Sequence, residues 1–333
     1  MIRKLLLGIL LTGFVACKNE QPSIFSLTGK TKGITDGTVL YLNDPDINAD
    51  VDSTVVTHNS FVFNTTLDQE PLRFYLHDKD YSNYTAFWAE NTAMQFDAST
   101  SDFRNAKITG SETEALSSSL MKAMDTVSRS EGRRLEKKFV KDNPNSIISA
   151  NMLNIYATTW GKQLTQELFN NFSEENKNSK YGKEIATYIA LNKNPKIGEH
   201  YIDFEMLDPH GVQQRLSDSG DKIVLLEFWA SWCGPCRQEN PNLVKTYETY
   251  KEKGFEVFAV SLDNTKESWL QAIEKDKLGW RHVSDLKGSR NAAGLIYGVS
   301  GIPDNFLIDK NGSIIARNLR GEKLNEKLSE LLK

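Results

Sequence analysis

Residues 222–241 bring together an apolar strand pattern, two closely spaced cysteines and a helical pattern, in the order K-I-V-L-L-E-F-W-A-S-W-C-G-P-C-R-Q-E-N-P. The apolar run Ile223–Trp229 is interrupted only by Glu227 and is rich in β-branched and aromatic residues. Such a run predicts a central strand that is buried on both faces of a sheet. Cys233 and Cys236 follow this strand and open the helical pattern, which is typical of a redox-active pair rather than a structural site.

The placement of the two cysteines suits disulfide exchange. A thiol attacks a disulfide only as its thiolate, which the first turn of a helix favours through its free N–H groups and the positive end of its dipole. Cys233 is predicted to lie at this helix start, and Pro235 falls in the first turn, where its missing N–H costs nothing. Cys236 lies one turn deeper on the same face. We therefore predict that Cys233 is the nucleophile and that Cys236 resolves the mixed disulfide.

Two motifs give this part of the chain a family resemblance. Residues 232–236 spell W-C-G-P-C, and residues 299–303 spell V-S-G-I-P ahead of N-F-L-I-D at 305–309. Together they resemble the thioredoxin superfamily, and most closely its TlpA-like envelope thiol–disulfide reductases, which have an AhpC/TSA-type thioredoxin-like domain. The resemblance covers residues 197–333 and implies an α/β fold in which a cis Ile302–Pro303 peptide faces the cysteines. The substrate-docking residues that it implies are Trp232, Gly234, Pro235, Ile302 and Pro303, and the alternative for Trp232 is an ordinary core tryptophan.

Two acidic residues near the cysteines are candidate proton carriers. A lone carboxylate in a buried strand is costly as the anion, so Glu227 is expected to hold its proton tightly. The thioredoxin family has a buried acid at this position, usually Asp, that exchanges a proton with the second thiol, and the resemblance implies this role for Glu227. The envelope reductases have a Glu at the position of Glu239, and that Glu takes part in thiol titration. The alternatives are a solvated Glu227 and an ordinary surface Glu239.

The N-terminal residues predict export. Arg3 and Lys4 precede the apolar stretch 5–15, which is shorter than the roughly 20 residues that a membrane-spanning helix needs. The stretch ends in F-V-A-C, which resembles a bacterial lipoprotein cleavage site, with Phe14 where an aliphatic residue is usual. The resemblance implies cleavage before Cys17 and a lipid on its sulfur, anchoring the protein to a membrane on the periplasmic side of the cell envelope. The alternative is an ordinary signal peptide with an unmodified Cys17.

Composition narrows the classes of partner and cofactor. The 333 residues carry a net charge of −4 and no basic block, so no nucleic-acid partner is expected. Cys17, Cys233 and Cys236 are the only cysteines, and the five histidines lie at no finger-like spacing from them. Because a structural zinc site needs four ligands, we predict neither a metal nor another cofactor. A purely structural Cys233–Cys236 disulfide would close a very short loop and constrain little.

The region before the cysteine motif has two patterns. Residues 24–110 alternate as β-strands do, which predicts a small antiparallel sandwich with a hairpin turn at Asn59-Ser60. This region resembles, in pattern, a β-rich domain of unknown function in some envelope lipoproteins. Helices are predicted at 112–129, 131–142, 146–159, 163–171 and 180–192. The predicted domains are a signal peptide at 1–16, a lipidated tether at 17–23, a β-rich domain at 24–110, a helical segment at 111–192 and a thioredoxin-like domain at 193–333.

The thioredoxin-like domain has its own predicted elements. Strands are expected at 222–229, 255–261, 305–309 and 313–317, after a hairpin whose turn is Pro209-His210-Gly211. Helices are expected at 234–252, 266–276, 291–297 and 322–332. Pro241, inside the first of these helices, is expected to bend it.

The predicted function is that of a membrane-anchored thiol–disulfide oxidoreductase. We expect a reductase, because Gly-Pro between the cysteines matches thioredoxin, whose potential is about −270 mV. The expected partners are disulfide-containing envelope proteins and a transmembrane thiol electron donor. Cytochrome c assembly is the best-known duty of the family, although nothing in the sequence identifies an apocytochrome.

Two other functions remain open at this point. One is an envelope binding protein whose β-rich domain is the functional part. The other is a peroxidase of the same fold. Its P-x-x-x-T-x-x-C pattern would need proline at position 226 and threonine at position 230, where this chain has Leu226 and Ala230.

Overall fold

The computed structural model describes residues 24–67 and 71–333 of the chain. The predicted signal peptide and Cys17 lie outside the described residues. By its internal contacts the chain divides into two units, Met1–Leu135 and Glu136–Lys333. Each unit encloses an apolar core of its own.

The described part of the first unit contains two four-stranded sheets with one aromatic core. Its strands are Phe25–Lys30 (β1), Val39–Asp44 (β2), Ala49–Val55 (β3), Ser60–Thr65 (β4), Leu72–Asp78 (β5), Tyr84–Ala89 (β6), Ala93–Asp97 (β7) and Lys107–Thr109 (β8). Burial alternates along β4, where Phe61 and Phe63 face the core and their neighbours face solvent, as a strand with one buried face requires. The sheets have the orders β4-β1-β7-β8 and β3-β2-β5-β6. These paired sheets agree with the predicted sandwich-like region.

Two details of this unit differ from the sequence prediction. The sandwich is not wholly antiparallel, because β1 and β7 pair in parallel, with Leu27 opposite Met94. The turn at Asn59-Ser60 is tight, and Thr57 and Ser60 exchange two backbone hydrogen bonds at 2.9 and 3.0 Å. However, β3 pairs with β2 and β4 pairs with β1, so this turn carries the chain from one sheet to the other. A local turn signal does not determine which strands then pair.

Helices follow the β-rich region in sequence. Their bounds are Glu112–Asp125 (α1), Arg129–Asp142 (α2), Ile147–Trp160 (α3), Lys162–Asn170 (α4), Glu174–Asn178 (α5) and Lys180–Leu191 (α6). Serine side chains cap several of them, including α1, where Ser111 accepts from Glu114 N at 2.9 Å, and α3, where Ser146 accepts from Ile148 N at 3.3 Å. The prediction carried the first helix to 129, beyond its observed end, and did not include α5. No helix within residues 24–67 and 71–333 combines the length and the apolar character needed to cross a membrane.

The rest of the second unit is an α/β domain around a five-stranded sheet. Its elements are Glu205–Leu207 (β9), Gln213–Arg215 (β10), Ile223–Trp229 (β11), Gly234–Tyr250 (α7), Phe255–Ser261 (β12), Lys266–Asp276 (α8), Arg281–Val283 (β13), Ala292–Tyr297 (α9), Asp304–Ile308 (β14), Ile314–Arg317 (β15) and Glu322–Leu331 (α10). The sheet order is β13-β12-β11-β14-β15, and every residue of β11 and β12 is buried. The apolar run of the sequence thus forms the central strand, as predicted. The short edge strand β13 was not predicted.

Candidate active site

The central strand delivers the cysteines to a helix start. β11 ends at Trp229, and α7 begins at Gly234, so that Cys233 caps the helix and Pro235 lies in its first turn. The Cys233 sulfur accepts a hydrogen bond from Cys236 N at 3.2 Å, and a disulfide joins the two cysteines. A backbone N–H that points at a sulfur favours the thiolate once the disulfide is reduced.

Little of the Cys233–Cys236 pair is exposed to solvent. Cys233 is only 4% exposed and Cys236 is fully buried, whereas Trp232 between strand and helix is 63% exposed. Gly234 and Pro235 are also exposed. A partner would therefore meet the Trp232 side chain and the first turn of α7 before it reaches the sulfur of Cys233.

The proline loop lies at the same edge of the sheet. The Ile302–Pro303 peptide is cis, as the resemblance implied, and it leads directly into β14. Because β14 is antiparallel to β11, with Asp304 opposite Phe228, the start of β14 lies beside the end of β11, where the cysteine motif begins. Ile302 and Pro303 are half-buried, so part of this loop remains available to a partner.

Glu227 is a buried carboxyl group in the middle of the central strand. It lies opposite Ala259 of β12 and Asn305 of β14 and is 4% exposed, which excludes the alternative of a solvated residue. Burial, with a further contribution from the negative charge of Glu239, raises its pKa from 4.5 to about 8, while Arg320 acts in the opposite direction. At neutral pH this group is therefore mainly the neutral acid.

Glu239 reaches the same place from helix α7. Its Oε1 accepts a hydrogen bond from Gly321 N at 2.7 Å. Glu227, Glu239, Pro303 and Arg320 line one small cavity, whose free volume of about 10 Å³ has room for about one water molecule. The structure thus brings the two predicted acids and the proline loop together. Cys233 and Cys236, both among the described residues, do not line this cavity.

The segment before Cys233 is held by a carboxylate that sequence reasoning missed. Asp263 is 1% exposed and accepts hydrogen bonds from Ser231 N at 3.0 Å, from the Ser231 hydroxyl at 2.5 Å and from the Ser261 hydroxyl at 2.6 Å. β11 and β12 are parallel, with Trp229 opposite Ser261. Residues two positions beyond these strand ends therefore meet at one edge. The sequence does contain a signal for Asp263, because an acidic residue two positions after the buried parallel strand β12 is a candidate site residue.

A second missed cluster fixes the first turns of α7 against α8. Arg237 forms an ion pair with Asp276, and Arg237 also donates to the Ser231 carbonyl at 2.9 Å. Asn240 donates to the same Asp276 carboxylate at 2.7 Å. Although burial raises the pKa of Asp276, the hydrogen bonds from Arg237 and Asn240 outweigh it and lower the pKa. The carboxylate therefore stays charged and holds the helix that carries the cysteines.

None of the described residues forms a group of three or more His, Cys, Asp and Glu side chains that is placed to hold a metal ion. The two cysteine sulfurs are bonded to each other in this oxidised form, so neither offers a thiolate ligand.

Comparison with known proteins agrees with this geometry. The AhpC/TSA family matches residues 197–317, and a domain of unknown function, DUF4369, matches residues 25–116. Thiol-disulfide oxidoreductase ResA of Bacillus cereus is 34% identical over 146 residues, which are 44% of this chain and 82% of that protein. The chain belongs to the ResA family of thiol-disulfide oxidoreductases. ResA of Geobacillus kaustophilus is 37% identical over 134 residues, which are 40% of this chain and 75% of that protein.

ResA family membership confirms the thioredoxin-like fold and the thiol–disulfide oxidoreductase activity that the sequence predicted. The β-rich domain ahead of it is the DUF4369 region. Among solved structures, the thioredoxin domain of a thiol-disulfide oxidoreductase from Bacteroides vulgatus is 33% identical. That comparison covers 42% of this chain and 99% of the other, with a TM-score of 0.39. The ResA relatives match less than half of this chain, and the DUF4369 match at residues 25–116 does not overlap the AhpC/TSA match at residues 197–317.

Proposed function

We propose that this ResA-family chain is a membrane-anchored reductase of disulfides in exported proteins, with Cys233 as nucleophile and Cys236 as resolving thiol. The observation that carries the proposal is the Cys233–Cys236 disulfide at the start of a helix, where Cys236 N points at the Cys233 sulfur. A helix N-terminus stabilises negative charge on that sulfur, which is what an attacking thiol needs.

The reaction begins from the reduced enzyme. The Cys233 thiolate attacks one sulfur of the substrate disulfide, so that a mixed disulfide forms and the other substrate sulfur leaves as a thiolate that takes up a proton. Cys236 then loses its proton and attacks the Cys233 sulfur, which releases the second substrate thiol. The substrate gains two electrons and two protons, and the enzyme is left with the disulfide seen in the structure.

Glu227 and Glu239 are proposed to carry the protons of this cycle. Resolution requires a base for Cys236, and a base works best when its pKa lies near the operating pH. The pKa of Glu227, raised to about 8 by burial and by Glu239, meets that condition. Glu239 lines the same cavity as Glu227.

Partner docking is proposed at the exposed rim of the site. Trp232 is largely exposed beside the buried sulfur of Cys233, and Gly234 and Pro235 are exposed in the first turn of α7. The half-buried loop at Ile302 and Pro303 leads into β14 beside the end of β11, where we propose that an extended substrate segment adds to the Ile302 backbone as a strand does.

The direction of the reaction and the location of the protein belong to the same proposal. Gly234 and Pro235 between the cysteines match thioredoxin, a reductant with a potential of about −270 mV. Reduction in an oxidising compartment needs an electron supply, so we propose a transmembrane thiol donor as the second partner. Lipid on Cys17 would keep the enzyme at the membrane on the periplasmic side of the envelope. Cytochrome c assembly is one process that such a reductase serves.

We also propose that the chain is divided into five parts, which include separate parts for export, for membrane attachment and for catalysis. They are a signal peptide at 1–16, a tether at 17–23, a β-rich domain at 24–110, a helical segment at 111–192 and the thioredoxin-like domain at 193–333.

Trapping of substrates tests the proposal. A Cys236→Ala variant can form the mixed disulfide through Cys233 but cannot resolve it, so we expect exported proteins to remain linked to the enzyme in envelope extracts. The measurement is non-reducing electrophoresis followed by mass spectrometry of the species released by dithiothreitol. The matched control is Cys233→Ala, which keeps Cys17 and Cys236 but lacks the nucleophile. Equal recovery of linked proteins from both variants would contradict the assignment of Cys233.

A further inference from the structure

Arg320 connects the proline loop with the pair of buried acids. It follows β15 and precedes α10, and its Nη2 donates to the carbonyl of Pro303 and, at 3.2 Å, to Asn318 Oδ1. The same side chain lines the small cavity that Glu227 and Glu239 share. One guanidinium group therefore contacts the proposed docking edge and faces both acids.

Two acidic side chains and one basic side chain line the small cavity. Glu227 faces it from β11, Glu239 from α7 and Arg320 from the segment before α10, and the remaining lining is apolar apart from Asn305. Arg320 Nε is buried and has no hydrogen-bond partner among the described residues. A guanidinium stays charged at any pH that the protein meets, and charges interact strongly where water is scarce. Arg320 is thus the cation that offsets two carboxyl groups in this cavity.

Gly321, which follows Arg320, also contacts one of the two acids. Gly321 N donates to Glu239 Oε1 at 2.7 Å, so consecutive residues of one segment hold the proline loop and one of the acids. Movement of this segment would change the position of Pro303 and the environment of both acids at once. The β15–α10 connection is therefore part of the site, although it lies far from the cysteine motif in sequence.

We propose that Arg320 is a positioning residue for disulfide exchange, which holds the Pro303 carbonyl at the docking edge and places its charge in the cavity that Glu227 and Glu239 line. The inference rests on the proposed function, because it concerns the acids and the docking edge named there. Arg320 lies in neither the W-C-G-P-C motif nor the V-S-G-I-P motif. By this proposal it couples substrate binding to proton transfer.

The effect of Arg320 on the pKa of Glu227 has the direction that this role requires. Burial and the charge of Glu239 raise the pKa of Glu227, and Arg320 opposes them. Loss of the guanidinium would leave the two acids without that opposing charge. The pKa of Glu227 would then rise further, and fewer molecules would hold the ionised base at neutral pH.

The test uses the full chain in its reduced form. The rate at which iodoacetamide alkylates Cys233 is measured against pH by mass spectrometry of the peptide that contains it, for the wild type, Arg320→Met, Arg320→Lys and Glu227→Gln. We expect Arg320→Met to move the midpoint of the profile upward by at least about half a pH unit and Arg320→Lys to move it less, because lysine keeps the charge. Arg215→Met is the control, because Arg215 is exposed and pairs with Glu205 on the surface.

A steady-state assay of insulin reduction tests separately whether Arg320 supports substrate docking. Both Arg320 variants lose the arginine contact with the Pro303 carbonyl, so we expect KM to rise about three-fold or more in each, while Arg215→Met stays at the wild-type value. A purely structural role for Arg320 would change the amount of folded enzyme but would not move the midpoint of the alkylation profile.

The outcomes separate the inference from the proposed function. Profiles of Arg320→Met and wild type that superimpose, while Glu227→Gln moves the profile, would overturn the role of Arg320 and leave the proposed function standing. If Glu227→Gln also leaves the profile unchanged, the proton-carrying role of Glu227 and the role of Arg320 both fail. Should circular dichroism show that Arg320→Met does not fold, Arg320→Gln and Arg320→Lys replace it and are judged by the same midpoint.

Discussion

Glu227 shows how one side chain can acquire its chemistry from its position in a strand. β11 lies between β12 and β14 and every one of its residues is buried, so position 227 places a carboxyl group in the interior of the domain. Burial raises the pKa of Glu227 to about 8, and the neighbouring Glu239 adds to the effect. Glu239 makes a hydrogen bond with Gly321 N, so the two acids have different partners within one cavity. A buried acid with this pKa suits the proton transfer that we propose for Glu227.

Replacement of Glu227 by Gln is expected to change how stability depends on pH. Below pH 4.5 the carboxyl group is protonated in both the folded and the unfolded chain, so its contribution to folding is then fully present. Between pH 4.5 and about 8 only the unfolded chain loses the proton, so stability falls as pH rises. From pH 5 to pH 8 the loss is about 3 kcal/mol by linkage. Glu227→Gln should remove this slope, as measured by urea unfolding of the oxidised protein at several pH values.

The matched control for this prediction is Glu205→Gln. Glu205 is an exposed residue of β9 that pairs with Arg215 on the surface. This variant should keep the wild-type slope between pH 5 and pH 8, because exposed ion pairs contribute little to stability. A wild-type slope in Glu227→Gln as well would show that Glu227 is not the group whose protonation is coupled to folding.

At the level of elements, the segment from β11 to α7 could be predicted from the sequence because its local signals agree with one another. The apolar run gives the buried strand, and Pro235 and the cysteine at the cap position give the helix start. The cis Ile302–Pro303 peptide was also expected, but only from family resemblance, since most prolines follow a trans peptide.

Other elements depend on contacts that the local sequence does not encode. β13 and α5 are too short to show a period, and the parallel pairing of β1 with β7 joins strands that are distant in sequence. Asp263 and Arg320 belong to the site only because the sheet brings their loops to the cysteines and to the acids. The motif residues could therefore be predicted from the sequence, whereas the residues that hold them in place could not.

A glycine in α6 provides a test at the level of elements. Glycine to alanine in a helix normally stabilises a protein by about 1 kcal/mol. At Gly182, however, an added Cβ would lie 2.1 Å from the backbone oxygen of Asn176 in α5. We therefore expect Gly182→Ala to lower the free energy of unfolding by about 2 kcal/mol, because backbone atoms must move apart. The measurement is urea unfolding followed by far-ultraviolet circular dichroism.

Gly132→Ala in α2 is the control for this prediction. An added Cβ at Gly132 meets no atom within 4 Å, so this substitution should follow the usual helix preference and leave the protein as stable or more stable. Stabilisation by Gly182→Ala of the same size would mean that α5 does not pack against the start of α6.

On the scale of the whole molecule, the chain combines two separately built cores. The first unit buries aromatic side chains from both of its sheets, and the second buries the five-stranded sheet and the helices packed on it. The ResA relatives match less than half of the chain, while AhpC/TSA matches residues 197–317 in the second unit and DUF4369 matches residues 25–116 in the first. Units with their own cores can unfold separately, and their stabilities can then be changed one at a time.

Thermal unfolding is therefore expected to show two transitions. Leu42 in the first unit and Leu226 in the second are both 0% exposed, and each belongs to the core of its own unit. Truncation of a buried leucine to alanine costs about 3 kcal/mol, which corresponds to roughly 10 °C for a unit of this size. In differential scanning calorimetry of the oxidised protein, Leu42→Ala should lower one transition and Leu226→Ala the other. Because the Cys233–Cys236 disulfide lies in the second unit, a shift on reduction by dithiothreitol should be confined to the transition that Leu226→Ala lowers. A single transition that both substitutions move equally would show that the units unfold as one.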